Sequence, residues 1–565
     1  MSVASCGGRW RSGASLGLLA QGVRCEAAAG PFGGGMSDFD CIVVGAGSSG
    51  AALAGRLAAS DRRVLLLEAG PDFRSAEAPE EMRQAYSMAL MDAGRFGRFW
   101  WGGPARMTSA QEPQPFARGK GLGGCSAVNV QVAIRGVPED YDGWAEAGCA
   151  GWSFREVLPS FIRLESDADF PDAPYHGRSG PVPIERPSRE QMGPVDIGLA
   201  DAAVALGYGW AADHNAPDAT GASPAAHNSR HGVRVSTNDA YLEPLRGDSR
   251  LTIRGEVLVD RVVFDGDHAR GVIALAGPDR VEFAGGEVVL CAGALQSPAI
   301  LLRSGVGPAD HLRGLGIPVL RDLPVGSRIN DHPAIDLDLT LKQPAAAVTD
   351  KYAVSCLVRF NSGLGGAGPN DMGFGSFNLF NEPGGHAQGL IFVTLFRAFS
   401  AGTVQLAARD PRADPQIDLN MLSDQRDRQR MREGVRRLLQ LAAHPAVTAI
   451  SQDMGIGEVR AEAGLPRHDD LDRWLLARCG TIGHPCGSAP MGSDTDPNAV
   501  LDPDCRVRGL QGLRVADASS LPAAPRANNH LSCVMLAEHL AQRMIAPHAQ
   551  TVDSLPSAGP ERPST

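Results

Sequence analysis

The stretch that decides the fold is Asp40-Cys41-Ile42-Val43-Val44-Gly45-Ala46-Gly47-Ser48-Ser49-Gly50. Its apolar run suits a strand that is buried on both faces. Gly45, Gly47 and Gly50 then form the pattern G-x-G-x-x-G, and the small residues that follow open a helix. Glycines let the backbone turn tightly and approach a pyrophosphate, while the helix N-terminus supplies N–H groups and a positive dipole.

A second apolar run, Arg63-Val64-Leu65-Leu66-Leu67-Glu68, ends in an acid 18 residues after Gly50. A carboxylate at about this distance meets a ribose 2′-hydroxyl in dinucleotide-binding folds. The glycine pattern alone is weak, because glycine-rich turns are common, and a plain strand–turn–helix would not need Glu68. The strand, the helix and the acid together predict a dinucleotide site.

Length and composition limit the classes of protein that remain. A chain of 565 residues with 43% apolar and 21% charged residues predicts two or three packed domains. The net charge of −11 argues against nucleic acid or an anionic membrane as a standing partner. No apolar run approaches the length of a membrane span.

The 11 cysteines are odd in number and scattered, and no Cys-x-x-Cys occurs. We therefore expect reduced thiols in a cytoplasmic protein, with neither a metal site nor a disulfide framework.

The N-terminal residues 1–35 differ in composition from the rest of the chain, being rich in Gly, Ala and Ser. Met36 leads directly into the first strand. We expect Met36 to be the physiological start, so that residues 1–35 are either disordered or not part of the natural protein. Residues 549–565 are predicted to be a disordered tail.

A second glycine-rich segment runs from Ala117 to Asn129 and allows the backbone to approach a flat or anionic ligand closely. An aromatic group made of Phe96, Phe99, Trp100 and Trp101 precedes it. Such a group is either a piece of core or a wall of the cofactor site.

At this point the chain resembles the glucose–methanol–choline (GMC) oxidoreductases, a family of FAD-dependent alcohol oxidases and dehydrogenases. Four blocks carry the resemblance and reach from residue 40 to about 545. They are the fingerprint from Ile42 to Gly70, the segment Arg118 to Arg135, the segment Gly293 to Gly307 with Val325 to Pro333 after it, and the region from His484 to Glu538.

The resemblance implies an α/β fold with a Rossmann-like FAD-binding domain and a discontinuous α+β substrate-binding domain built on an antiparallel sheet. We assign residues 36–155, 226–335 and 480–548 to the first domain, and 156–225 and 336–479 to the second. Fingerprint and resemblance together predict contacts with FAD from Gly45, Gly47, Ser49, Gly50, Glu68, Ala69, Trp101, Arg118, Gly119, Leu122, Gly123, Gly124, Ser126, Asn129, Val259, Ala292, Asp517, Ala518, Asn529, His530 and Leu531.

Oxidation of an alcohol removes a hydroxyl proton and a carbon hydride, so a base must be placed on the hydroxyl group. Histidine titrates nearest to neutral pH. His484 matches the catalytic-histidine block of the family and is our candidate base, with hydride passing to flavin N5. His530 falls at the family's second catalytic position, although Asn528 or Asn529 could instead cap the following helix and leave His530 incidental.

Two positions depart from the family pattern. Some members attach FAD covalently through a histidine where this chain has Val128. Members often have an aromatic residue directly before the catalytic histidine, and Gly483 stands there instead, which we expect to leave room near the flavin.

These residues leave three functions open. The first is oxidation of a small alcohol, with oxygen or a quinone or other carrier as electron acceptor. The second is a lyase of the same fold that uses the histidine as a base and FAD as structure. The third is a flavoprotein without catalysis, which His484 and His530 disfavour.

We expect the purified protein to release its FAD on acid or heat precipitation, because Val128 has no nucleophile to form the histidyl bond. The absorbance of the supernatant and of the washed, redissolved pellet measures how much flavin is released and how much stays with the polypeptide. Flavin that stays with the denatured polypeptide would refute non-covalent binding.

Overall fold

A five-stranded parallel sheet forms around the strand Cys41–Val44, whose four residues are all buried. In spatial order its strands are Leu251–Arg254, Val64–Leu67, Cys41–Val44, Glu287–Leu290 and Leu513–Val515. Every neighbouring pair is parallel. Since the order reverses at Cys41–Val44, a crevice opens at the carboxyl end of this strand.

The structure is a computed structural model that describes residues 39–84, 97–343, 345–347, 352–364, 366–379, 388–457, 459–460 and 468–545. The predictions for residues 1–35 and 549–565 lie outside this range. Its helices are Ser48–Ala58, Glu80–Arg83, Cys125–Val128, Pro138–Glu146, Phe154–Leu164, Pro194–Ala205, Gly293–Arg303, Ala309–Gly314, Gln425–Ala442, Pro445–Thr448, His468–Arg478 and Asn529–Ile545.

Two glycines of the fingerprint have steric reasons to be there. Gly45 has φ +98°, and a Cβ on it would lie 2.5 Å from the carbonyl oxygen of Cys291. A Cβ on Gly50 would lie 1.9 Å from the carbonyl oxygen of Gly45. Only glycine therefore lets the helix Ser48–Ala58 start directly against its strand.

The second large sheet has eight strands and is antiparallel throughout. Along its main path the strands are Val459–Arg460, Ser451–Ile456, Pro333–Leu341, Gln388–Leu395, Met372–Leu379, Cys356–Phe360 and Gly221–Pro224, and Gly480–Thr481 pairs with Pro333–Leu341 at its edge. The predicted combination of a Rossmann-like sheet with an antiparallel sheet is confirmed.

Shorter sheets complete the fold. An antiparallel sheet contains Val257–Asp265, His268–Ala276 and Asp279–Ala284. A four-stranded sheet contains Thr403–Gln405, Gln416–Asp418, Pro104–Arg106 and Gln114–Pro115. Three strand pairs are Ser229–Arg230 with Val233–Arg234, Trp100–Trp101 with Arg118–Gly119, and Glu165–Asp167 with Val182–Ile184.

Buried apolar side chains form two large clusters, one under each main sheet. Val157, Phe161 and Leu164 belong to the cluster of the parallel sheet, although we assigned their segment to the substrate domain. Their helix, Phe154–Leu164, packs against the helix Asn529–Ile545, which explains why they join the cluster of the parallel sheet.

A buried ionic cluster lies beside the strand pair Glu165–Asp167 and Val182–Ile184. His176 contacts Glu165 through Nδ1 at 2.6 Å, and Arg135 Nη2 donates to the same carboxylate at 2.5 Å. Arg186 donates to Asp167 at 3.0 Å. Each of the two carboxylates thus has an arginine as its counter-charge, so the cluster is a structural element.

Glu538 joins the helices that surround the parallel sheet. Its side chain is fully buried and accepts hydrogen bonds from Arg56 Nε at 2.8 Å, Arg163 Nε at 3.0 Å and Tyr241 Oη at 2.8 Å. These donors come from three different segments. Glu538 therefore fixes the helix Asn529–Ile545 against the helices Ser48–Ala58 and Phe154–Leu164.

None of the nine described cysteines forms a disulfide. Within the part of the chain that the structure describes, no helix is both long enough and apolar enough to cross a bilayer.

We expect Glu538→Gln to lower the free energy of unfolding by about 2 kcal/mol, within the range for hydrogen bonds to a charged group. The amide keeps the shape of the side chain but replaces one acceptor oxygen with a donor. Glu433→Gln is the matched control, because Glu433 pairs with Arg437 one helical turn away on a partly exposed surface and contributes about 0.5 kcal/mol or less. Urea unfolding at equal flavin content compares them, and an unchanged midpoint for Glu538→Gln would contradict the expectation.

Candidate active site

A cavity of about 400 Å³ opens at the carboxyl end of the strand Cys41–Val44. It extends from Glu68 and the fingerprint loop to His484. This is the edge of an open α/β sheet at which ligands bind, and an enclosed volume of this size suits a cofactor or substrate.

Most of the predicted cofactor residues line this cavity, as does the predicted base His484. The predicted residues in its wall are Gly45, Gly47, Ser49, Glu68, Ala69, Trp101, Arg118, Gly119, Gly124, Asn129, Val259, Ala292, Asp517, Ala518, Asn529 and His530. The lining thus combines segments that lie far apart in the sequence.

Five predicted residues do not reach the wall. Gly50 packs the helix on its strand, and Leu122 and Leu531 are fully buried. Gly123 donates its backbone N–H to the carbonyl oxygen of Ala46 at 2.8 Å. Ser126 turns its hydroxyl back to the carbonyl oxygen of Gly123 at 2.6 Å. Except for Leu531, which lies in the helix Asn529–Ile545, these residues shape the two glycine loops.

Glu68 holds three backbone segments together. Its carboxylate accepts the backbone N–H of Ala46 at 2.8 Å and those of Gly70 and Gly121 at 2.9 Å each. Burial raises the pKa of Glu68, and the three donors oppose that rise. A carboxylate has about four acceptor positions, so one remains for a ligand hydroxyl.

The carboxylate of Asp517 accepts four hydrogen bonds from groups of the protein itself. It accepts from Gly293 N at 2.7 Å and Ser297 Oγ at 2.6 Å, and its other oxygen accepts from the N–H and the hydroxyl of Ser519. Asp517 therefore fixes the start of the helix Gly293–Arg303, whose first turn faces the cavity.

The cavity wall fits a bound cofactor in two respects. A Cβ on Gly293 would meet no atom within 4 Å, and one on Gly47 would meet only Gly124 Cα at 3.8 Å, so both glycines face open space. Nε2 of His530 and Oδ1 of Asn529 are buried polar atoms of the lining that have no hydrogen-bond partner. Buried polar atoms normally have partners, so these two atoms indicate a polar ligand.

His484 lies at the other end of the cavity and is held by its backbone. Its N–H donates to Asp331 Oδ1 at 2.7 Å, and its carbonyl oxygen accepts from Asn529 Nδ2 at 2.8 Å. Asn528 Nδ2 lies 3.1 Å from His484 Nε2. Burial, assisted by His332 and Arg118, lowers the pKa of His484 well below 6.5, so its imidazole is neutral at neutral pH.

His530 lies in the first turn of the helix Asn529–Ile545 and contacts Ser48 Oγ through Nδ1 at 3.0 Å. Burial lowers its pKa to about 4. The side chain that meets the His484 ring from this segment is Asn528, two residues earlier.

The expected room beside Gly483 is occupied, so that expectation is wrong. A Cβ on Gly483 would lie 2.7 Å from Nη2 of Arg118. Arg118 donates to the carbonyl oxygen of Gly483 through Nη1 at 2.5 Å and lies over the ring of Phe116. A guanidinium therefore fills the space beside Gly483.

The sequence analysis missed His332, whose Nδ1 lies 3.0 Å from Nδ1 of His484. Its position directly after Asp331 and before Pro333 was a usable signal, because His484 is likewise followed by proline. It also missed Arg234, a buried cation that donates to Asn129 Oδ1 at 2.9 Å beside the cavity.

Comparison with known proteins agrees with this geometry. Family models for GMC oxidoreductases match residues 39–334 and 398–537. A 5-(hydroxymethyl)furfural oxidase from Methylovorus sp. (strain MP688) is 36% identical and covers 90% of this chain and 98% of its own length. An oxygen-dependent choline dehydrogenase from Pseudomonas fluorescens (strain Pf0-1) is 34% identical, with coverage of 90% and 94%.

Among solved structures, pyridoxine 4-oxidase from Mesorbium loti superposes with a TM-score of 0.80 at 28% identity, over 90% of this chain and 99% of its own. The similarity thus extends over both main sheets and the cavity between their segments. The chain belongs to the GMC oxidoreductase family and is an FAD-dependent oxidoreductase.

Proposed function

We propose that this enzyme oxidises the CH–OH group of a small alcohol and that His484 takes the hydroxyl proton. One observation carries the proposal: a neutral imidazole, fixed by its own backbone, faces a cavity whose other end has a dinucleotide fingerprint. A neutral histidine has a free lone pair, which a general base needs.

The fingerprint loop, the helix Gly293–Arg303 and Glu68 would hold FAD without a covalent bond. The first two offer backbone N–H groups at helix N-termini, which suit phosphate oxygens. Glu68 retains one acceptor position for a ribose hydroxyl. When bound, FAD supplies the two-electron acceptor for the hydride.

The residues around His484 would orient the alcohol. Asn528 faces Nε2 of His484 and can accept or donate to the same hydroxyl group. We assign the second contact with the substrate oxygen to His530, whose Nε2 is buried and unpartnered. Trp100, Trp101 and Phe377 form apolar parts of the wall, which suits a substrate with a carbon framework.

The names of the relatives support an alcohol substrate. They are a 5-(hydroxymethyl)furfural oxidase, an oxygen-dependent choline dehydrogenase and a pyridoxine 4-oxidase. Two are called oxidases and one oxygen-dependent, which supports oxygen as the acceptor over a quinone or another carrier. Anaerobic bleaching of the flavin by an alcohol, followed by recovery on admission of oxygen, tests both parts. Bleaching by no alcohol would favour the lyase alternative.

Glu68→Ala is expected to weaken FAD binding by about 1.5–3 kcal/mol, the range for a hydrogen bond to a charged group. The change removes the ribose acceptor and releases Ala46 and Gly121 from one another. Titration of the flavin-free protein with FAD measures the affinity. Glu287→Ala is the control, since Glu287 starts the neighbouring strand but pairs with Arg514 outside the cavity. Equal FAD affinity in Glu68→Ala and wild type would argue against this assignment.

His484→Ala should slow flavin reduction by about 10²–10⁴-fold, the usual contribution of a general base, without emptying the FAD site. Rapid mixing with the alcohol, normalised to bound FAD, measures the rate. His444→Ala is the control, because His444 also precedes a proline but caps a surface helix instead of lining the cavity. A normalised rate within about threefold of wild type would remove His484 from the mechanism.

His530→Asn should be milder than His530→Ala in the same assay, because asparagine can still hydrogen-bond the substrate oxygen. Equal rates for the two variants would transfer this role to Asn528.

A further inference from the structure

A second histidine lies directly behind the proposed base. Nδ1 of His332 is 3.0 Å from Nδ1 of His484, and the two rings are nearly perpendicular, at 82°. His332 is fully buried and does not line the cavity. The substrate therefore cannot reach it, and any influence on the reaction must pass through His484.

The backbone creates this pair. The strand Pro333–Leu341 starts immediately after His332, and Gly480–Thr481 ends shortly before His484. Pro333 pairs with Thr481 in antiparallel register. Asp331 Oδ1 then accepts the backbone N–H of both histidines, at 2.6 Å from His332 and 2.7 Å from His484. The two rings are thus held face to edge by one strand pair and one carboxylate.

A contact between two Nδ1 atoms determines which ring nitrogens carry a hydrogen. If both imidazoles are neutral, one Nδ1 must carry the shared hydrogen and the other must accept it. The ring that carries the hydrogen on Nδ1 has a bare Nε2, and the other ring carries its hydrogen on Nε2. The contact therefore selects the tautomer of His484.

One neighbour of His484 favours one of the two arrangements. Nδ2 of Asn528 lies 3.1 Å from Nε2 of His484, and an amide nitrogen only donates, so Nε2 of His484 is an acceptor without a hydrogen. The hydrogen of the neutral His484 ring therefore lies on Nδ1, and Nδ1 of His332 accepts it. His332 carries its own hydrogen on Nε2, which is buried without a hydrogen-bond partner.

We propose that His332 is a positioning residue, which accepts the Nδ1–H of His484 and so keeps Nε2 of His484 free of hydrogen, the form that can take the proton of the substrate hydroxyl. This inference rests on the proposed role of His484 as the base. In the step it supports, the O–H bond of the alcohol breaks, its electron pair stays on the oxygen, and the proton bonds to Nε2.

A carboxylate often holds a catalytic histidine in this way and stabilises its cation. Here the partner is a neutral imidazole, whose pKa burial lowers to about 4. The other charged or titratable groups facing the pair are Asp331, with a pKa raised by burial to about 6, and Arg118, whose charge disfavours an imidazolium. Burial, His332 and Arg118 thus all favour the neutral form of His484, which is the form that acts as a base.

His332→Phe removes the acceptor, and we expect flavin reduction per bound FAD to slow by about 10- to 100-fold, as when a partner that orients a histidine is lost. His332→Asp puts a negative charge beside the His484 ring, which stabilises its protonated form and raises the pKa of the base. The acid limb of the rate–pH profile should then move to higher pH by about one unit or more. His539→Asn is the control: His539 is a partly buried histidine on the helix Asn529–Ile545 that packs on Trp152, and its replacement should leave both readouts unchanged.

Nuclear magnetic resonance of wild-type protein with ¹⁵N-labelled histidine gives a readout that needs neither a change at His332 nor turnover. The His484 signal, assigned by its loss in His484→Ala, should show a hydrogen on Nδ1 and a bare Nε2. A hydrogen on Nε2 would overturn the inference, as would a normal rate in His332→Phe with an unmoved profile in His332→Asp. If His484→Ala itself keeps a normal rate, the proposed function fails; if only the His332 results are negative, the inference fails alone.

Discussion

The cavity depends on the buried carboxylate of Glu68. Three backbone N–H groups converge on it, one from the fingerprint loop, one from the turn after its own strand and one from the second glycine loop. Gly47 and Gly124 approach so closely that a Cβ on Gly124 would lie 2.7 Å from the Gly47 Cα. Two loops of bare backbone can lie against each other only if something anchors them, and this carboxylate is the anchor. An uncompensated buried charge would be costly, and the donors compensate it.

The other end of the cavity is built by the antiparallel sheet. The pairing of Pro333 with Thr481 brings His332 and His484 together, and Asp331 fixes both backbones. His484 then reaches across to Asn528 and Asn529, which follow the last strand of the parallel sheet. The proposed base is thus attached to both sheets, so its distance from the fingerprint loop is set by how the two sheets meet.

Sequence patterns were sufficient where the signal is local. The strand Cys41–Val44, the glycines after it and the helix Ser48–Ala58 follow from the local sequence pattern, and the family resemblance supplied His484. The sequence could not reveal contacts between distant segments. His332 and His484 are 152 residues apart, and Arg118 fills the space at Gly483 from a strand 365 residues away. Glu68 shows both cases: its spacing predicted a ligand contact, whereas its three internal hydrogen bonds required the folded chain.

The helix Asn529–Ile545 has a consequence for how the protein is made. It brings His530 to Ser48, so a wall of the cavity joins residues separated by 482 positions. During synthesis on a ribosome the fingerprint loop emerges long before its partner, which is added 482 residues later. The nascent chain can form the early strands but cannot enclose a dinucleotide. Loading of the flavin is therefore a late event in biogenesis, and a ribosome that stalls before residue 529 leaves a chain with an open, incomplete cavity.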